Sequence, residues 1–283
     1  MISVVPMTSF DLPAFLEKSR ALDLSGIDWS LAAKDPLSRP ERRILPYFID
    51  VESYTIGYLR ALLNTSAIRD VEIGDFLTCW AYEEAYHGRA IERFLSEAGH
   101  GLDPRRQRSI QKPNRMVETL MDWTASGLSS LIGEDFVAVH MTWGAIQELT
   151  TLNGYRQLAL KTENRVLGEI IRRIMRDESR HFSFYYHKAN ERLARSRKAQ
   201  VVTAQVVKRF WKPVGAGIMP DADLDFLIQY TFGGEQGRRE MQHVDDTIAR
   251  LPGMAGFNGL SRWIAASLER APAPAPSLTL TSA

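Results

Sequence analysis

Two segments hold the residues whose types and spacing most need a chemical explanation. They are Phe76-Leu77-Thr78-Cys79-Trp80-Ala81-Tyr82-Glu83-Glu84-Ala85-Tyr86-His87-Gly88 and Ile170-Ile171-Arg172-Arg173-Ile174-Met175-Arg176-Asp177-Glu178-Ser179-Arg180-His181. In each, a glutamate precedes a histidine by three positions, so a helix would stack acid and imidazole on adjacent turns of one face. That face is otherwise apolar: Leu77, Trp80 and Ile91 share it with Glu84 and His87, and Ile171, Ile174 and Tyr185 share it with Glu178 and His181. Arg89, Glu92, Arg93 and Glu97 fall on other faces. A charge turned into a core costs several kcal/mol unless it is paired or binds a metal. The chemistry is therefore either core ion pairing or metal ligation.

Spacing alone does not decide. With 18 glutamates and 6 histidines in 283 positions, chance gives about 0.4 such matches, and the chain has four. Glu97/His100 closes a helix beside Gly101 and Pro104, and Glu240/His243 sits in the charged run GRREMQHVDD; both read as surface. Only the first two pairs have a partner acid one helix earlier, Glu52 at 32 residues before Glu84 and Glu148 at 30 before Glu178. Glu52 has Phe48, Ile49, Ile56 and Leu59 around it at helical spacing, and Glu148 has Met141, Ala145, Thr151, Leu152 and Tyr155. The order Glu, Glu-x-x-His, Glu, Glu-x-x-His on two helix hairpins is that of a ferritin-like di-metal bundle. Four carboxylates balance two divalent cations, and oxygen-rich ligation with one imidazole per metal suits iron or manganese. Asp177 and Glu83, each directly before a motif glutamate, are candidates to accept the other imidazole N–H across the bundle.

The elements that must position these groups are helices. From about Leu37 to Ala271 apolar residues recur three and four apart, and alternating strand patterns are missing. The spacing predicts long helices at 38–65, 70–99, 133–161, 164–195, 199–211 and 221–250, with shorter ones at 115–126 and 257–269. An all-α, ferritin-like four-helix bundle with additional helices follows, as one domain over residues 1–270. Residues 271–283 (APAPAPSLTLTSA), without charge or bulk, are expected to be a disordered tail. The remaining composition excludes other classes. The single Cys79 rules out an internal disulfide framework and a multi-cysteine zinc site. Balanced charge, 35 basic against 34 acidic residues for a net +1, argues against a nucleic-acid binder. Neither a membrane span nor a signal core is legible, so a cytoplasmic location without membrane attachment is expected.

At these residues the sequence resembles the soluble acyl-carrier-protein desaturases, a branch of the ferritin-like di-iron proteins. WAYEEAYHGRAIERFLSEAG is similar to the family's W-A-x-E-E-x-x-H-G helix, AIQELTT to its Q-E-x-x-T helix and RDESRH to its D-E-x-R-H helix. The resemblance spans about residues 40 to 200 and is nearer the compact actinobacterial type than the longer plant members. It implies two iron ions, with Glu52 and Glu148 as terminal ligands, Glu84 and Glu178 as bridging ones and His87 and His181 one per iron. It also implies a proton-delivering role for Thr151. Two departures stand out. The segment FIDVESYTIGY differs from the usual first ligand helix, leaving Asp50 as the alternative to Glu52, and Tyr86 stands where a basic residue is common.

The activity implied is O2-dependent removal of two hydrogens from an acyl chain tethered to acyl-carrier protein, with ferredoxin as electron donor and a homodimer as the assembly. Trp80, Met141, Trp143 and Phe182 would lie along the chain, and Tyr155 and Tyr185 also face the site. Two basic clusters would dock acidic partners: Arg192, Arg195, Arg197, Lys198, Lys208, Arg209 and Lys212, and Arg105, Arg106, Arg108, Lys112 and Arg115. The alternative outcome on the same scaffold is hydroxylation or amine N-oxidation of a small molecule. Ferroxidase activity without an organic substrate is the third reading, disfavoured by more than a hundred residues beyond a minimal bundle.

Overall fold

Helix starts are set by side chains that satisfy the first orphan N–H groups. Ser38 and Glu41 form a reciprocal capping box: the Ser38 N–H donates to Glu41 Oε2 at 2.7 Å, and the Glu41 N–H donates to Ser38 Oγ at 3.3 Å. Asp70, Asn164 and Ser196 each accept N–H bonds from the turn that follows them. The computed structural model describes residues 10–63, 65–103, 133, 135–213, 216 and 221–270.

Among these residues the chain forms nine α-helices and no extended strand. They are α1 (Leu12–Lys18), α2 (Arg39–Leu63), α3 (Val71–Glu97), α4 (Asp135–Lys161), α5 (Arg165–Arg195), α6 (Arg197–Phe210), α7 (Asp221–Phe232), α8 (Gly234–Ala249) and α9 (Gly259–Arg270). The hairpins α2–α3 and α4–α5 pack through α3 and α5 into a four-helix bundle, and α6 to α9 cover the α4 side. This is the all-α, ferritin-like architecture that the periodicity predicts. None of the helices among the described residues is long and apolar enough to cross a membrane.

Two expectations are corrected and one helix is added. The single helix predicted over 221–250 is two, because Gly234 adopts a φ of +86°, a conformation that side-chain-bearing residues avoid, and the chain turns there. Helix α1 was not foreseen from the periodicity, being a seven-residue piece before the main pattern begins. Ile56, placed on the buried face of Glu52, is 68% exposed, since the buried stripe of α2 runs through Glu52 and Leu62 and Ile56 falls at its margin. The short helix expected at 115–126, the basic cluster Arg105 to Arg115 and the tail 271–283 lie outside the described residues.

The apolar interior comes in two parts. On α3 one holds Ile73, Phe76, Leu77 and Trp80, and the other holds Ala90, Ile91, Phe94 and Leu95. On α5 the division falls between Ile174 and Phe182. In both helices the motif acid and histidine lie in the interval.

The hinge between α4 and α5 is held by Asn164, which is buried, caps α5 by accepting from the Leu167 N–H at 3.0 Å and donates to the carbonyls of Ala32 and Asp35. Asn164→Ala removes a cap and strands two carbonyls. It should lower stability by about 2 kcal/mol or more, read as a drop of several degrees in the thermal midpoint.

Candidate metal centre

Glu52 on α2, Glu84 and His87 on α3, Glu148 on α4, and Glu178 and His181 on α5 all turn into the interval between the two apolar regions, and all six are buried. Their ligand atoms form two groups, Glu52/Glu84/His87/Glu178 and Glu84/Glu148/Glu178/His181, and within each group the atoms lie within 4.8 Å of one another. Glu84 and Glu178 belong to both groups. Asp50, the alternative to Glu52, is buried but outside them. Gly88 lets α2 approach here, since a Cβ at this position would stand 3.2 Å from Glu52 Cβ and 3.1 Å from Ser53 Oγ.

The two imidazoles are oriented alike. His87 turns Nδ1 inward, 3.2 Å from Glu178 Oε1, and His181 turns Nδ1 inward, 3.0 Å from Glu84 Oε1. Their Nε2 atoms point outward to Asp177 Oδ2 at 3.2 Å and to Glu83 Oε2 at 2.7 Å. Each histidine is thus held by the acid from the opposite helix, as the positions of Asp177 and Glu83 before the motif glutamates suggested. Burial works against ionisation of both acids. The histidine bonds and the Arg180 guanidinium outweigh it, holding Glu83 below the ordinary range and Asp177 at about 2.

The arrangement leaves polar atoms that no protein group satisfies. Glu52 Oε2, Glu84 Oε1, both Glu178 oxygens, His87 Nδ1 and His181 Nδ1 are buried without a hydrogen-bond partner. Each such atom costs about 1–3 kcal/mol if nothing binds it. Burial, together with the neighbouring Glu178 charge, pushes the Glu84 and Glu148 carboxyls well up. Burial opposes ionisation of Glu52 too, but contacts from Glu84 and His87 hold it below its usual value. A donor set of four carboxylates and two imidazoles, convergent and otherwise unpaired, fits divalent metal ions with oxygen and nitrogen preference.

Several contacts escaped the sequence reading. Arg180 donates to Glu83 Oε1 at 3.0 Å and to Asp177 Oδ1 at 2.6 Å, one cation joining the two outer acids. Ser19, just after α1, donates to Glu83 Oε1 at 2.8 Å. Trp80, expected to line an acyl chain, also donates its indole N–H to Glu148 Oε1 at 3.0 Å. Tyr155 donates a short hydrogen bond to Glu52. The available signal was Arg180 beside a buried motif; nothing local marked Ser19. Thr151 is half-buried one turn after Glu148, and none of these hydrogen bonds includes it. Met141 and Phe182 are in the core with Trp80, and Trp143 packs against it. The two surface Glu-x-x-His pairs behave as expected: Glu97 faces Arg93 on the surface, and Glu240 pairs with Arg156.

Stability should follow these shifts. The raised carboxyls of Glu84 and Glu148 contribute fully below their ordinary value of 4.5, and the contribution is lost as pH rises through their folded values. His87 is also raised, as the Asp177 bond and the nearby Glu178 and Glu52 carboxylates outweigh its burial, and it acts in the same direction from its ordinary 6.5. Lowered Asp177 and Glu83 lose their contribution only on acidification below the ordinary carboxylate range. Metal-free protein should therefore lose stability between about pH 5 and 8, and ferrous or manganous ion should raise the thermal midpoint more at the upper end. Equal midpoint shifts at both ends would contradict this.

No curated protein matches the chain. The fatty acid desaturase family matches residues 56–222, more than half of the sequence. The match contains Glu84, His87, Glu148, Glu178 and His181; Glu52 lies just before it. The chain therefore belongs to the fatty acid desaturase family.

Proposed function

We propose that the protein is a di-iron, O2-dependent desaturase acting on an acyl chain carried by acyl-carrier protein. The carrying observation is the pair of ligand groups sharing Glu84 and Glu178 inside a chain of the desaturase family. In this reading Glu52 and His87 would hold one iron and Glu148 and His181 the other, with Glu84 and Glu178, common to both groups, available to each. When bound, two irons supply the capacity to reduce O2 and abstract hydrogen from unactivated carbon. One O2, two electrons and two protons then yield an alkene and two waters.

The protein's own residues do the rest. Asp177 and Glu83 accept the outward ring N–H of His87 and His181 and so present each inward Nδ1 as a lone pair. Trp80 and Tyr155 fix one oxygen each of Glu148 and Glu52, leaving the other free to ligate. The buried aromatic and aliphatic walls exclude water from the acyl chain. Thr151, half-buried one turn from Glu148, is the proposed route for protons.

An acidic carrier and ferredoxin would use the basic surface at the end of α6. Arg192 pairs with Asp70, Arg195 with Glu191 at 2.9 Å and Lys198 with Asp135 at 3.2 Å, which neutralises three cations of the seven-residue cluster. Lys208, Arg209 and Lys212 are exposed and, among the described residues, in no ion pair. They are the docking cations of this proposal.

Incubation of iron-loaded protein with acyl-carrier proteins of several chain lengths, ferredoxin, reductase and O2 should give a product two mass units lighter. A gain of sixteen would replace desaturation by oxygen insertion, and no product with any chain would refute both. Glu148→Ala should reduce turnover by at least about a hundredfold and the iron content below two per chain, with helical content unchanged. Charge reversal at Lys208 and Arg209 should raise KM for the carrier substrate about tenfold with little change in kcat.

A further inference from the structure

The four helices that supply the carboxylates supply a second layer next to them. Tyr58 follows Glu52 by six residues on α2, Trp80 precedes Glu84 by four on α3, His140 precedes Glu148 by eight on α4, and Tyr185 follows Glu178 by seven on α5. Within each antiparallel hairpin these offsets lead the same way, about 6–12 Å along the bundle. The side chains meet in a closed ring. Centroids are 5.9 Å apart for Tyr58–Trp80, 5.9 Å for Trp80–Tyr185, 5.9 Å for Tyr185–His140 and 5.6 Å for His140–Tyr58. Gly144 makes this possible, since a Cβ there would lie 2.3 Å from the Tyr185 ring.

Hydrogen bonding in this layer is incomplete. Tyr58 Oη and His140 Nδ1 are 2.9 Å apart and bond to each other, while Trp80 is engaged with Glu148. His140 Nε2 and Tyr185 Oη remain, both buried and without a partner. Burial lowers the His140 ring to about 3, so it is neutral near pH 7 and its free nitrogen is a single donor or acceptor. Burial, with the neighbouring Tyr58, Glu148 and Glu84, pushes the Tyr185 hydroxyl well up, so it stays protonated near pH 7. Phenylalanine would fill the same volumes without stranding two polar atoms, so packing alone does not account for them.

We infer that His140 Nε2 and Tyr185 Oη recognise an oxygen function on the substrate, so that the acyl chain bears a hydroxyl or keto group close to the reacting carbons. The inference rests on the acyl-desaturase reading and narrows its substrate class. A plain hydrocarbon chain leaves both atoms unpaired on binding, whereas an oxygenated one satisfies them. Sites built to hydrogen-bond a substrate group discriminate strongly against the analogue lacking it.

The test measures binding before turnover. Full-length protein loaded with ferrous ion under nitrogen is titrated calorimetrically with N-acetylcysteamine thioesters of decanoate. The set contains the plain chain and a series in which one hydroxyl or keto group is moved along it. One positional isomer should bind at least about tenfold tighter than the plain chain. Tyr185→Phe, which keeps the ring and its packing, should collapse that ratio towards one, as should His140→Phe, with iron content and circular dichroism unchanged. Tyr58→Phe serves as the third variant if His140→Phe fails to fold. Equal affinity for plain and oxygenated chains, no binding of any thioester, or a preference that survives Tyr185→Phe overturns the inference. Turnover with ferredoxin and O2 separates the two levels. Equal desaturation of plain and oxygenated chains defeats this inference alone, whereas no conversion of either defeats the functional reading beneath it.

Discussion

Four glutamates and two histidines have been carried into the interior of a helical bundle, where an uncompensated charge is costly. Every other feature near them answers that constraint. Glu84 and Glu148 are pushed towards their protonated forms, and six inward atoms are left without protein partners. Protons are one compensation and divalent cations the other, and the geometry, with Glu84 and Glu178 common to both groups, is arranged for the second.

The outer acids follow a different logic. Asp177 and Glu83 stay ionised because a histidine and the shared Arg180 offset the burial, partial for Asp177 and complete for Glu83. Glu84 and Glu148, with raised values, thus lie on the inner side of the imidazole rings, and Asp177 and Glu83, with lowered ones, on the outer side. Each ring turns its outer nitrogen to an acid of the opposite helix and its inner nitrogen to the centre, an orientation set by hydrogen bonds across α3 and α5. Ser19 and the Phe15 ring, 5.1 Å from the Arg180 guanidinium, bring α1 into the same network.

The six inward residues were legible because their spacing and their apolar neighbours combine on single helix faces, and a face is a local property of sequence. His87 with Asp177 and His181 with Glu83 were legible as candidates because each acid precedes a motif glutamate. Arg180 was not, since its role depends on α3 and α5 lying side by side, and neither was Ser19, which comes from a seven-residue helix outside the main periodicity. Ile56 was misplaced because helical spacing marks the width of an apolar stripe only coarsely, and a residue at its margin faces outward while Leu62 further along stays buried. The break at Gly234 was visible as a glycine pair, yet the helical pattern on both sides outweighed it.

The buried polar layer also divides the hydrophobic interior in two, with Ile73 to Trp80 on one side and Ala90 to Leu95 on the other along α3 alone. Each hairpin can bring its own acid and Glu-x-x-His together over about thirty residues, but the complete layer exists only when both hairpins have docked. A metal that binds the docked state and not its separated halves adds stability in proportion to the logarithm of its free concentration. With the proposed metals bound, the lifetime of the chain in a cell would be tied to metal supply, and starvation would show first as proteolysis of unloaded protein.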